Sequence, residues 1–209
     1  VENDGKKSKN IVVVNRLLDG ERVVAESHNE QNVGGRSRTT VKANMVVKNP
    51  RLWSHLSPAR YTLQTAVEVD GKVVDEESRK IGIRSIEIKD NELYVNGKKT
   101  FLRGVNRHQC HPYVGYAVCD NAQVRDAVRI KEAGFDFVRL SHYPQSTAFL
   151  EACDSLGIFV LNCVFGWQYF NKKEPAFREF CYQQTRDMVR RDRNHPSILA
   201  WEASLNETK

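Results

Sequence analysis

Three apolar runs of strand length, residues 135–140, 158–164 and 198–205, alternate with segments of helical spacing, and this alternation constrains the fold more than any other feature of the chain. Strands separated by crossover helices pair side by side in one direction, so the pattern predicts a parallel sheet. The helices carry recognisable ends. Asp120 is placed to cap the first, which bears Val124, Ala127 and Val128, and Gly134 stands where a left-handed residue stops it. Ser146 or Thr147 opens the second, whose Phe149, Leu150, Cys153 and Leu156 share a face before Gly157. Pro175 fits the first turn of the third, with Phe177, Phe180, Cys181 and Met188 as its inner stripe. With residues 101–105 counted as the first strand, four strands and three helices result. That is half of a (β/α)8 barrel, which implies that more strands follow in a longer parent protein.

The first third of the chain has a different period. Residues 10–14, 22–27, 38–47 and 61–69 are rich in β-branched side chains, and Asp70-Gly71 is a two-residue hairpin signal before residues 72–74. Val67 and Val69 alternate with Glu68 and Asp70, as a half-buried strand requires. This spacing predicts an immunoglobulin-like β-sandwich. A second hairpin, with Asn96-Gly97 between residues 93–95 and 99–101, introduces the barrel. The expected division is therefore a sandwich over residues 1–84 and a partial barrel over 85–209.

Composition narrows the partners. The 40% hydrophobic content suffices for a core, and the formal charge of +6 comes from basic residues interleaved with 26 acidic ones. No recognition motif accompanies that charge, so nucleic-acid binding is not expected. No apolar run approaches the roughly 20 residues of a membrane span. Cys110, Cys119, Cys153, Cys163 and Cys181 form no C-x-x-C pair, and the expectation is buried free thiols. His111 beside Cys110 does not make a zinc pattern.

Chemistry is expected at strand ends, because a parallel barrel delivers its last side chains to the mouth. Glu207 follows the run at 198–205 and is the candidate proton donor, with Asn206 beside it to hydrogen-bond a substrate hydroxyl. Glu202 is an unsuitable second carboxylate, since five residues along a strand span about 16 Å and an odd offset points to the opposite face. Arg139 follows a strand core, where a guanidinium can orient carboxylates or serve as a structural ion pair. His108 and His142 occupy strand ends and could bond hydroxyls, although a lone histidine is more often structural. Trp167, Tyr169 and Phe170 could offer stacking faces to a ligand or pack in a core or interface.

Four ordered motifs carry a resemblance. Residues 103–108 (Arg-Gly-Val-Asn-Arg-His), 138–144 (Val-Arg-Leu-Ser-His-Tyr-Pro), 191–197 (Arg-Asp-Arg-Asn-His-Pro-Ser) and Asn206-Glu207 resemble glycoside hydrolase family 2. Residues 106–112 are most similar to its β-galactosidases, which usually carry Glu at the Gln109 position. Residues 49–54, Ser57-Pro58, 61–63 and 82–84 resemble the family's middle domain, so the similarity covers essentially the whole chain. The resemblance implies a retaining exo-β-glycosidase, most like β-galactosidase, with Glu207 as acid/base and Asn206 contacting the sugar 2-hydroxyl. It also implies His108, Arg139 and His142 in the substrate site and a nucleophile on a later strand that this sequence does not reach. Retaining chemistry needs the two carboxyls about 5 to 5.5 Å apart.

The sequence departs from the family pattern in two places. One extra residue separates Trp201 from Glu207, which predicts a β-bulge or an altered approach of the strand end. Many family β-galactosidases hold Mg²⁺ through a Glu and a His after the third barrel strand, yet residues 161–167 offer neither. The expectation is thus a carbohydrate substrate with no cofactor and no metal, an inactive isolated chain, and a tendency to homo-oligomerise through the open half barrel. A non-catalytic carbohydrate-binding or adhesion module is the alternative reading. The missing metal ligands and the stretched interval lend it weight.

Overall fold

The computed structural model describes residues 1–165, 171 and 173–203. The chain divides into two compact units, Val1–Arg51 with Arg60–Ile81, and Leu52–Ala59 with Gly82–Lys209.

The first unit is built on a four-stranded antiparallel sheet in the order β3 (Arg22–Val33), β2 (Lys9–Asp19), β5 (Tyr61–Val69), β6 (Lys72–Ile81). A two-stranded ladder of β1 (Glu2–Asn3) and β4 (Ser37–Arg38) supplies the rest of its regular structure. Ile11 and Val13 of β2 bury one face together with Val33, as the period-two pattern of a sandwich demands. Val41, Val67 and Val69 pack against them. The expected strand at 38–47 is a correction: regular pairing ends at Arg38, and the following chain is irregular backbone. Val41 reaches the core from there without needing a ladder. Edge strand β6 is exposed along nearly its whole length and carries Asp75, Glu76, Glu77, Arg79 and Lys80, charges that discourage pairing with another edge. Asp70 and Gly71 both have positive φ, 50° and 73°, in the hairpin between β5 and β6.

The second unit opens with a small antiparallel sheet of β7 (Ile86–Lys89), β8 (Glu92–Val95) and β9 (Lys98–Lys99). Strand β7 was not anticipated, although Asp90-Asn91, with φ of 51° and 61°, is a hairpin pair of the same kind as Asn96-Gly97. Four parallel strands follow in the order β10 (Gly104–Arg107), β11 (Phe137–Leu140), β12 (Phe159–Cys163), β13 (Ile198–Glu202). They alternate with α1 (Asp120–Glu132), α2 (Thr147–Leu156) and α3 (Pro175–Asp192). This is an immunoglobulin-like domain followed by the start of a (β/α)8 barrel.

The helix ends largely follow their signals. Ser146 caps α2 by accepting from the Ala148 amide, and Gly157 ends it at φ 71°. Pro175 sits in the first turn of α3. Two details are corrected. Cys119 occupies the cap position of α1, with Asp120 already helical, and Phe180 of α3 is 48% exposed while Met188 is buried.

The parallel sheet has two apolar sides. Val138, Leu140, Val160 and Ile198 face α1 and α2 through Ala127, Phe149, Leu150 and Cys153. Phe137, Phe159 and Leu199 face the other way, at the N-terminal ends of their strands, where Trp53 and Val95 pack on them. Trp53 is fully buried, lies edge-on to Phe159 at 5.1 Å, and donates from Nε1 to the Asp154 carbonyl at 2.8 Å. Apolar packing thus fills the inner face at the N-terminal end. The polar inward residues are left to the opposite end.

Candidate active site

Strand β10 can approach β11 closely only because residue 104 is glycine. A Cβ there would lie 2.5 Å from the Phe137 ring and its carbonyl oxygen. The resulting register pairs Asn106 with Arg139, so two polar residues arrive together near the C-terminal end.

Arg107 faces the helices and is 6% exposed. Its Nη2 donates to Asp126 and Gln123, both at 2.7 Å, its Nη1 to Gln145, and its guanidinium lies 4.0 Å from the Phe149 ring centre. Gln145 returns a bond to the Arg107 carbonyl at 2.7 Å. A buried cation with this many partners is an anchor, tying the end of β10 to α1 and to the loop after β11.

That anchor positions the histidines. His108 follows β10 and is exposed, His142 follows β11, and their rings meet edge-on at 5.7 Å. Tyr143 lies 6.1 Å from His108 and meets Tyr116 at 5.6 Å. The Tyr143 hydroxyl accepts from the Gln109 amide at 2.8 Å, while Gln109 Oε1 accepts from the Ser146 amide at 2.8 Å. Gln109 therefore links the two loops, donating through its backbone amide and accepting through its side chain.

Arg139 makes the contact that the sequence reading missed. Its Nε and Nη2 donate to Glu202 at 2.8 and 2.6 Å, and the Cys163 thiol donates to Glu202 Oε2 at 2.6 Å. The bonds from Arg139 hold the Glu202 carboxyl below the usual carboxylate range against the opposing effect of burial. Burial, then the neighbouring carboxylate, push the Cys163 thiol well up. The proton accordingly stays on sulfur. The sequence carries an arginine and a carboxylate at the ends of two apolar strand runs, but not their pairing.

The motif at 191–197 turns out to hold structure together. Asp192 is fully buried, accepts from Asn162 at 2.7 Å and takes two bonds from Arg191. His195 Nδ1 lies 2.6 Å from Asp154, whose other oxygen accepts from the Ser197 amide at 3.0 Å. Arg84 donates to the carbonyls of Pro196 and Ile198.

Glu207 and Asn206, with Trp167, Tyr169 and Phe170, lie outside the described residues. So does the bulge expected between Trp201 and Glu207. An irregularity does occur earlier on the same strand: Val160 pairs with Ile198 but Leu161 with Ala200, leaving Leu199 as an extra residue.

Of the five cysteines, all free, Cys153 and Cys163 are buried, Cys181 is intermediate, and Cys110 and Cys119 are exposed, contrary to the expected burial. No helix among the described residues is long and apolar enough to cross a membrane. Among the described residues after β12, Cys163, Val164 and Phe165 do not fit a Mg²⁺ site, because Cys163 donates to Glu202 and the other two are apolar.

Comparison with known proteins gives a consistent result. Residues 86–209 match the model described as glycosyl hydrolases family 2, TIM barrel domain, and residues 1–84 match glycosyl hydrolases family 2. A β-galactosidase of Thermoanaerobacterium thermosulfurigenes is 40% identical over 164 residues, covering 78% of this chain and 22% of that protein. A β-galactosidase of Lactococcus lactis is 35% identical over 193 residues, covering 89% and 18% respectively. Among solved structures, a family 2 member from Bacteroides cellulosilyticus superposes with a TM-score of 0.88 at 31% identity, over 100% of this chain and 29% of that one. A Bacteroides uniformis β-glucuronidase gives 0.89 at 26% identity, over 96% and 24%. The chain thus spans about a fifth of the length of the curated relatives it matches.

Proposed function

Because the chain belongs to glycoside hydrolase family 2, we propose that the whole protein is a retaining exo-β-glycosidase acting on terminal β-linked sugars, most like β-galactosidase. Similarity to curated β-galactosidases at up to 40% identity supports the galactoside over the glucuronide, although solved β-glucuronidases share the fold. The observation that carries the reading is the gathering of Arg139, Glu202, His108 and His142 at or just beyond the C-terminal strand ends, where barrels bind substrates.

In this reading Glu207 protonates the departing glycosidic oxygen and then, as carboxylate, takes a proton from the attacking water. Asn206 bonds the sugar 2-hydroxyl, and His108 and His142 bond other hydroxyls. Glu202 is engaged by Arg139 and is not the nucleophile. That role falls to a carboxylate outside these 209 residues, so the isolated chain is expected to turn over no glycoside.

The test is leaving-group dependence in the whole protein. Glu207→Gln should abolish turnover of alkyl β-galactosides yet spare the glycosylation step for dinitrophenyl β-galactoside, whose leaving group needs no proton. Equal losses for both substrates would refute the acid assignment. Faster wild-type hydrolysis of an aryl β-glucuronide than of the galactoside would overturn the substrate.

A further inference from the structure

Arg139 and Glu202 sit on strands that are not neighbours. With β12 between them, their backbones are separated by two strand spacings, about 9.5 Å, so the ion pair has to cross over β12. The residue at the end of β12 is Cys163, whose register partner is Glu202. A small side chain at that place leaves room for the crossing, and its thiol supplies a further bond to the carboxylate.

The extra residue Leu199 is what turns Glu202 inward. Regular pairing from Val160–Ile198 would set Cys163 opposite Trp201 and direct Glu202 to the helix side. With the irregularity, Trp201 pairs with Asn162 and packs towards the helix-side core, while Glu202 pairs with Cys163. A local distortion has thus placed a carboxylate on the face that carries Arg139. Both side chains retain 19% exposure, and the pair lies at the strand ends rather than in the apolar packing around Phe159.

We propose that Glu202 and Cys163 are positioning residues for Arg139. Glu202 holds the Nε/Nη2 edge of the guanidinium in a bidentate pair, which fixes the plane and therefore the direction of the Nη1 edge. Cys163 holds Glu202 Oε2 and stays protonated to do so. The pair also offsets the guanidinium charge, so the site meets an oriented donor rather than a bare cation. This rests on the reading that Arg139 serves the glycosidase site.

The experiment combines kinetics on the whole protein, with 4-nitrophenyl β-galactoside as probe, and the infrared S–H stretch of Cys163. In wild type, the S–H band that disappears in Cys163→Ser should lie well below the frequency of a thiol without a hydrogen bond. It should move back up in Glu202→Ala. Glu202→Gln should lower kcat/KM about a hundredfold, as a misdirected binding group does, with the loss mainly in kcat and the melting temperature close to wild type. Glu202→Asp should recover part of it. The double variant Glu202→Gln/Arg139→Lys should be no worse than the poorer single variant, because both changes break one unit. Cys163→Ala should lose about tenfold, the value of one bond to a charged group, and Cys163→Ser should lose less. An S–H band at the unbonded frequency in wild type, or kcat/KM within about threefold for Glu202→Gln, would overturn the proposal. Should Glu202→Gln fail to fold, the wild-type S–H band still decides. If wild type cleaves no aryl β-glycoside, the proposed function fails, whereas the S–H band tests the cluster without substrate.

Discussion

The two units of this chain solve the problem of a stable interior by different means. In the first, the buried residues of the sheet are apolar, Ile11, Val13, Val14, Leu17, Val33 and Tyr61. Among the described residues, every buried polar or charged side chain belongs to the second: Arg107, Gln123, Ser141, Gln145, Asp154, Asn162, Asp192 and Ser197. Burying such groups costs free energy unless each finds partners, so their concentration on one side of the division marks the unit that must hold side chains in fixed directions. An apolar core sets layers. Hydrogen bonds such as those of Arg107, Gln145, Asp154 and Asp192 also set angles.

The contrast predicts unequal responses to substitution. Arg107→Met would strip donors from Asp126, Gln123 and Gln145 at once, and should lower the local opening free energy of β10 and β11 by about 3 kcal/mol or more. Hydrogen–deuterium exchange of those amides in the whole protein measures this. A change no larger than the about 0.5 kcal/mol of an ordinary surface substitution would remove the claimed difference between the units. Ile11→Val in the sandwich should cost only about 1 kcal/mol by the same method on β2, because one methylene leaves an apolar layer that can partly close.

The smallest expected effect is one of pH. Burial draws the His195 imidazole down, but the bond to Asp154 and its charge, with help from Asp192 and Glu151, outweigh it, and the group ends above the ordinary 6.5. A raised folded value means that the proton is held more tightly in the folded state. The stabilisation is therefore fully present below about 6.5 and fades as pH rises through the raised value. Melting temperature measured across that window should fall on the alkaline side. Asp154→Asn should flatten this dependence, and an unchanged slope would locate it elsewhere.

Much of this was legible in the sequence, and the residues show why the remainder was not. The alternation of apolar runs with capped helices gave the four parallel strands in order, and Asn96-Gly97 and Asp70-Gly71 marked their hairpins, because local backbone chemistry decides these features. The segment at 38–47 misled because β-branched residues suit any half-buried surface, paired or not. Gln145, Gln123 and Asp154 went unnoticed for a related reason: nothing local distinguishes a buried amide or carboxylate from a solvated one. For Arg139 the sequence offered an ion pair or a substrate-site role, and the partner emerged only from a register set by the extra residue Leu199. Face assignments by counting assume a regular strand, and β13 is irregular.

The central claim is that Glu207 is the acid/base of a retaining site while Glu202 belongs to Arg139. Azide rescue of Glu207→Ala in the whole protein, with dinitrophenyl β-galactoside as substrate and proton NMR of the product, tests it most directly. Without its general base, the glycosyl-enzyme intermediate waits for a nucleophile that needs no deprotonation, and azide is one. The account predicts faster turnover with azide and a glycosyl azide of β configuration, with no such product from Glu202→Ala. An α-configured azide from Glu207→Ala, or β-azide rescue of Glu202→Ala in its place, would contradict it.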